Sequence, residues 1–174
     1  MRHIFLPLIL LLLVVFEGVA LDILPSSLID GDLMITPHWV LIFLVLIAMF
    51  YDRKDSYISI IYALIFGLLM DIAYTGILGV YMFSYGLVIY FIHELRNLLH
   101  SNIYSALLFG IIGIIIAELV INLIYYFVGI MDAEWMDYVM SRLIPSILAN
   151  SIFLLIIYPM FAKRLEKWKN TKIK

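Results

Sequence analysis

The chain has 174 residues, a net charge of −2 and no cysteine, which excludes disulfides, thiolate catalysis and Cys-ligated metals. Its residues are 66% hydrophobic and only 14% charged, with a mean hydropathy of +1.11. That is more apolar surface than a soluble domain of this length can hide from water, so the composition predicts an integral membrane protein.

About 20 helical residues cross the ~30 Å of hydrocarbon in a bilayer. Apolar runs of that order predict six spans, at 4–24, 35–51, 56–74, 78–95, 104–129 and 142–162. Each must be a helix, because hydrocarbon offers no partner to an open backbone group. The first run, MRHIFLPLILLLLVVFEGVA, has the basic start and the small residues (Gly18, Ala20) of a signal peptide. Its apolar stretch is long for a cleaved segment, and it is read as a retained first span. The connections are short, so successive helices should pack antiparallel, with the third and fourth in a tight hairpin. The predicted fold class is an all-α integral membrane protein. It forms a single six-helix transmembrane bundle over residues 1–174 that ends in a basic tail at 163–174. No second domain, internal repeat or low-complexity segment is visible.

The basic residues set an orientation. Arg2, Arg53, Lys54, Arg96, Lys163, Arg164, Lys167, Lys169, Lys172 and Lys174 all fall on one side of a six-span arrangement, and only Arg142 falls on the other. The opposite connections carry Asp30, Asp32, Asp132, Glu134 and Asp137. Positive-inside bias then puts both termini in the cytoplasm. Trp39, Tyr51 and Tyr57 mark span rims, Trp135 and Tyr138 are placed in the outer fifth loop, and Pro37 stands near the start of the second span. The tail KRLEKWKNTKIK should be drawn to an anionic inner leaflet at ~1 kcal/mol per basic residue near the surface. It serves as a topology anchor, with docking of a cytoplasmic partner as the alternative.

Four ionisable residues lie within or at the outer ends of the spans: Glu17, Asp71, Glu118 and Arg142. A charge at mid-bilayer costs ~2.5–3.5 kcal/mol on insertion scales, so each should face protein or water. Together they could share a polar pocket or an ion-pair network. Ala63, Gly67 and Asp71 follow one another at i, i+4, i+8, a small-residue seam ending in a carboxylate. Gly110, Gly113 and Ala117 make another small stripe, next to Glu118 and Asn122. Arg142, Ser146 and Asn150 repeat the same spacing as a polar stripe. An exposed seam around Gly67 or Gly110 would accept a partner's transmembrane helix.

Three readings of Asp71 stay open. It ends its helix near the headgroups, it makes a structural contact to Arg142 or to backbone N–H groups of the next turn, or it handles a transported ligand or proton. Glu17 and Glu118 are read as buried and hydrogen-bonded or protonated, and Ser146 and Asn150 as interhelical glue. Gly76 and Gly79 are read as serving the turn, where glycine reaches positive φ at low cost. The histidines, at positions 3, 38, 93 and 100, show no metal-ligand spacing, and no catalytic or nucleotide-binding motif occurs. No cofactor, metal or catalytic residue is expected, and no nucleic acid.

One stretch carries a family resemblance. FGLLMDIAYTGILGVYMFSYGLVIYFIHELR, residues 66 to 96, is similar to the middle of the MreD family, rod shape-determining membrane proteins of bacteria. Gly67, Asp71, Gly76 and Gly79 match the family pattern in turn, followed by an aromatic-rich helix and a basic exit. Chain length, span number and basic tail also fit. The resemblance implies a non-enzymatic scaffold of the peptidoglycan elongation machinery in the bacterial inner membrane. The implied partners are MreC first, then RodA, a class B penicillin-binding transpeptidase and MreB, with the lipid bilayer around them. The family also resembles the S subunits of energy-coupling-factor transporters, which implies the alternative of a vitamin-like solute-binding subunit. A proton-coupled carrier using Glu118 is a third reading.

Overall fold

The computed structural model describes residues 4–23, 34–53, 55–130 and 135–170. Arg2, Asp30, Asp32, Lys54, Asp132, Glu134, Lys172 and Lys174 of the charge pattern lie outside the described residues. Helix α1 covers Phe5–Ile23. Helix α2 runs over Trp39–Leu46 and continues as a π-helix over Ile47–Tyr51. Helix α3 is Ile58–Tyr74, and α4 is Val80–Leu95 with a 3₁₀ turn at Arg96–Leu98. Helix α5 is Ile103–Val128. Helix α6 begins at Trp135–Tyr138, passes through a π segment at Val139–Leu143 and runs on over Ile144–Asn170. All regular structure among the described residues is helical. Helices α5 and α6 are each long and apolar enough to cross a membrane.

Helix α2 is the axle of the bundle. Every side chain from Val40 to Tyr51 is at most 6% exposed, and α1, α3, α4, α5 and α6 all pack against it. The sequence WVLIFLVLIAMFY is compatible with this placement, because a helix apolar all round suits a core as well as a membrane span. The outer five helices turn apolar faces outward. On α1, for example, Leu6, Leu10, Val14 and Glu17 are buried while Phe5, Leu8, Leu12 and Phe16 are exposed.

The second span differs from expectation at its entry. Residues 34–38 form no helix or strand, and the helix starts only at Trp39. Pro37 is the local cause, since a proline disfavours helix for the residue before it.

The sixth element is longer than predicted at both ends. Trp135 and Tyr138, expected in a loop, sit in its first turn, and residues 163–170 of the expected tail continue the helix. The charge pattern nevertheless gathers at one end of the bundle. There Phe5 stacks on Trp168, Arg53 donates to the Lys169 carbonyl at 2.7 Å, and Arg96 donates to the Arg53 carbonyl at 2.5 Å.

Both glycine seams are used within the chain, which corrects the expectation that they are open to a partner. A Cβ on Gly67 would meet the α4 backbone, 2.7 Å from Met82 Cα and 2.8 Å from Tyr81 O. One on Gly110 would stand 2.6 Å from Leu154 of α6, and one on Gly113 3.2 Å from Val88 of α4. Small residues let α3 and α4, and α5 with its neighbours, approach closely, and no room is left there for another helix.

Candidate functional site

The hairpin between α3 and α4 closes on Asp71. Its carboxylate is fully buried and accepts three backbone N–H groups: Gly79 at 2.9 Å, Tyr81 at 2.8 Å and Met82 at 3.1 Å. These are orphan donors at the start of α4, and an anion there also meets the positive end of the helix dipole. Gly79 takes φ +100° as the residue preceding α4, a conformation that other residues rarely adopt. Gly76 lies in the same turn with open space around it. Thr75 adds a 3.1 Å bond to the Asp71 carbonyl. The middle member of the seam, Gly67, is what lets α4 begin close enough for this capture.

The second constellation lies where the irregular segment 34–38 enters the core. Its backbone groups cannot bond to one another, so side chains from far along the chain take them. Thr36 N–H donates to Ser146 Oγ at 2.9 Å. His38 N–H donates to Asn150 Oδ1 at 2.7 Å, while Asn150 Nδ2 donates to the Thr36 carbonyl at 2.9 Å. Met34 N–H reaches the Ser141 carbonyl at 2.7 Å. Glu17 of α1 accepts from Val40 N–H at 3.1 Å, an acid at the N-terminus of α2. Ser146 and Asn150 of the polar stripe on α6, with Glu17, thus perform one task, the satisfaction of a broken helix entry.

Glu118 is the centre of this junction. His38 Nε2 is 2.9 Å from Glu118 Oε1, and His38 Nδ1 is 3.0 Å from the Tyr85 hydroxyl. Tyr138 donates to the other carboxylate oxygen. Arg142 Nε stands 3.2 Å from Glu118 Oε2, off the line of a hydrogen bond, with its guanidinium over the Tyr138 ring at 5.8 Å. His38 and Glu118 are fully buried, and the Arg142 side chain is 16% exposed. Asn122, one turn beyond Glu118, is buried beside Tyr138 without a well-formed hydrogen bond.

The four ionisable span residues therefore do not share one pocket. Glu118 and Arg142 pair, Glu17 is joined to them only through the α2 entry, and Asp71 is occupied by its own hairpin. Arg142 is the partner of Glu118 and not of Asp71.

Two groups of functional side chains escaped the sequence reading. His38 holds the junction together, yet it reads as one of four scattered histidines. Its signal is the T-P-H run ahead of an unbroken apolar stretch. At the other end of the bundle Asp52 accepts from Ser59 N–H at 3.0 Å and Ser59 Oγ at 2.5 Å. His93 Nδ1 and Arg96 Nη1 flank it at 3.6 and 3.9 Å. Arg96 also donates to the Ala48 carbonyl in the π segment of α2, a cation at a helix C-terminus. Burial raises the Asp52 carboxyl above its ordinary value, against the bonds from Ser59 and the charges of Arg96 and His93.

Among the described residues no group of three or more His, Asp or Glu is arranged to hold a metal ion. The buried acids are taken up by backbone N–H groups, a histidine and an arginine, which is an arrangement that fixes helices to one another.

Residues 1–168 match the family model described as rod shape-determining protein MreD. The chain is 27% identical over 176 residues to the rod shape-determining protein MreD of Bacillus subtilis (strain 168), covering 96% of this chain and 97% of that one. No solved structure matches significantly.

Proposed function

The chain belongs to the MreD family of rod shape-determining bacterial membrane proteins, and from that premise we propose that it is a non-enzymatic scaffold of the peptidoglycan elongation machinery. It crosses the inner membrane six times with both termini in the cytoplasm. Its first partner is MreC, and RodA, a class B penicillin-binding transpeptidase and MreB join the same assembly.

The observation that carries this reading is the inward closure of the polar groups. Glu118 is engaged by His38, Tyr138 and Arg142, and Asp71 by three backbone donors. A carrier using Glu118, or a vitamin-binding S subunit, needs its polar groups open to a ligand. With the glycine seams closed by the chain's own helices, partner contact falls to the exposed aliphatic and aromatic faces. There association rests on packing and not on a hydrophobic drive.

Two measurements test the reading. Tagged protein purified from membranes should bring down MreC, and mass spectrometry should find no retained vitamin-like solute. Recovery of a stoichiometric solute without MreC would replace the scaffold by the transport subunit. For orientation, the chain has no native cysteine, so single ones report cleanly. Leu78, 68% exposed in the α3–α4 turn, and Leu98, 76% exposed after α4, stand at opposite ends. Leu78→Cys should react with an impermeant thiol reagent on intact cells and Leu98→Cys should not; the reverse pattern inverts the topology.

A further inference from the structure

At the end of the bundle where the basic residues gather, a cleft of about 240 Å³ opens between the end of α2, the α4–α5 connection and the end of α6. Asp52, Arg53, Arg96, Asn97, Ser101 and Lys169 line it. A smaller hollow of about 120 Å³ adjoins it through Ser101 and Lys169. We propose that this cleft is a binding site for a phosphate group, supplied by the headgroup of an anionic phospholipid. Its cytoplasmic placement rests on the orientation argued above.

Charge and geometry point the same way. In the cleft three cations face one carboxylate, Asp52, with Glu166 in the adjoining hollow, and one Asp52 oxygen is held by Ser59 N–H and Oγ. Arg96 is buried, 7% exposed, and fixed by the Ala48 and Arg53 carbonyls. It is therefore a preset charge on the wall of the cleft and not a mobile surface arginine. Arg53 is anchored by its bond to the Lys169 carbonyl, which also fixes the end of α6 against the cleft. No hydrogen bond or ion pair engages the Lys169 ammonium among the described residues. Asn97 and Ser101 add neutral donors, and the pocket is roomy enough for a phosphodiester with part of its glycerol. Basic pockets between helices on the cytoplasmic side are the usual means of holding such headgroups.

The electrostatics show what the cleft lacks. Burial, then repulsion by Arg96, lowers the Lys169 pKa against the pull of Glu166 and Asp52. Burial likewise lowers Arg96. An anion between them would relieve both.

The test uses the purified full chain in detergent, offered equal amounts of phosphatidylglycerol and phosphatidylcholine and examined by native mass spectrometry. Wild type should retain phosphatidylglycerol in preference. Arg53→Gln with Lys169→Gln should weaken that retention about 30-fold, at the usual attraction of an anionic headgroup for each basic residue. Lys169→Arg should preserve it. So should Lys163→Gln with Arg164→Gln, which removes two exposed charges from the same end of the chain.

Undiminished retention in the Arg53/Lys169 variant overturns the site, as does an equal loss in the Lys163/Arg164 control. In a parallel arm, millimolar sn-glycerol 3-phosphate is added and thermal unfolding followed. Protection by the soluble phosphate with no lipid retained keeps the phosphate chemistry and overturns the lipid source. Absence of both effects overturns the proposal outright. Detergent-solubilised protein is blind to leaflet, so the site and the orientation fail separately, the latter only by thiol labelling.

Discussion

The hairpin makes a quantitative demand on Gly67 and Asp71 together. A methyl group at position 67 would lie 2.7 Å from Met82 Cα, and ordinary contact begins near 3.4 Å. The atoms it meets are backbone, so Gly67→Ala must push the start of α4 outward by about 0.7 Å, an overpacking of ~1–3 kcal/mol. The same backbone carries the N–H groups that Asp71 captures. The Met82 bond, at 3.1 Å, would open to about 3.8 Å, beyond hydrogen-bond reach.

Asp71→Asn acts on those bonds from the other side. One amide oxygen replaces two carboxylate oxygens, its NH₂ faces donors, and the charge at the helix N-terminus is lost. Bonds to a charged group contribute ~1.5–3 kcal/mol, which sets the cost. Because Gly67→Ala has already opened part of the cap, the double variant should lose less than the two singles together, by about 1 kcal/mol. Reversible unfolding in mixed micelles gives the three free-energy changes. Hydrogen exchange at Gly79, Tyr81 and Met82 should quicken in each single variant. Additivity within ~0.5 kcal/mol, with exchange at these amides unchanged in Gly67→Ala, would refute the claim that the close approach exists to serve the cap.

Three further outcomes follow from the junction and the opposite cluster. Asn150→Leu leaves His38 N–H and Thr36 C=O without partners, at ~1–3 kcal/mol for each buried group. Micellar unfolding should show a loss near the sum of the two, Ser146→Ala a smaller one, and exchange at His38 should rise only in the former. Glu118→Gln alone or Arg142→Gln alone breaks a mostly buried pair and should cost ~3–5 kcal/mol, whereas the double variant should recover part of that; a double variant as unstable as the sum would deny the pairing. At Asp52, the folded-state pKa is raised above 3.8, so the folded chain takes this proton at a higher pH than the unfolded chain does. Acidification from neutrality should therefore add stability in wild type relative to Asp52→Asn, until the unfolded carboxyl titrates near 3.8. A difference that moves the opposite way contradicts the assigned cause.

The two buried constellations were unequally legible, and the reason is sequence distance. Gly67, Asp71 and Gly79 lie within thirteen residues, so a 3.6-residue period and a glycine turn already bring a carboxylate to the start of the next helix. The entry to α2 is the opposite case. Pro37 disfavours helix at Thr36, and the sequence thereby announces backbone groups that will need partners. The polar stripe of Ser146 and Asn150 announces side chains with bonding capacity on an otherwise apolar helix. Each half is visible, but 110 and 112 residues separate donor from acceptor. Hydropathy treats residues 34–38 as ordinary flank, and it treats a wholly apolar helix as any other span. Only the requirement that every buried backbone group find a partner joins the two halves. Applied to the sequence, that requirement singles out a proline ahead of the most apolar helix, and a polar i, i+4 pair elsewhere, as two ends of one contact. His38 then follows as the residue between them, carried into the core by the segment that Ser146 and Asn150 hold.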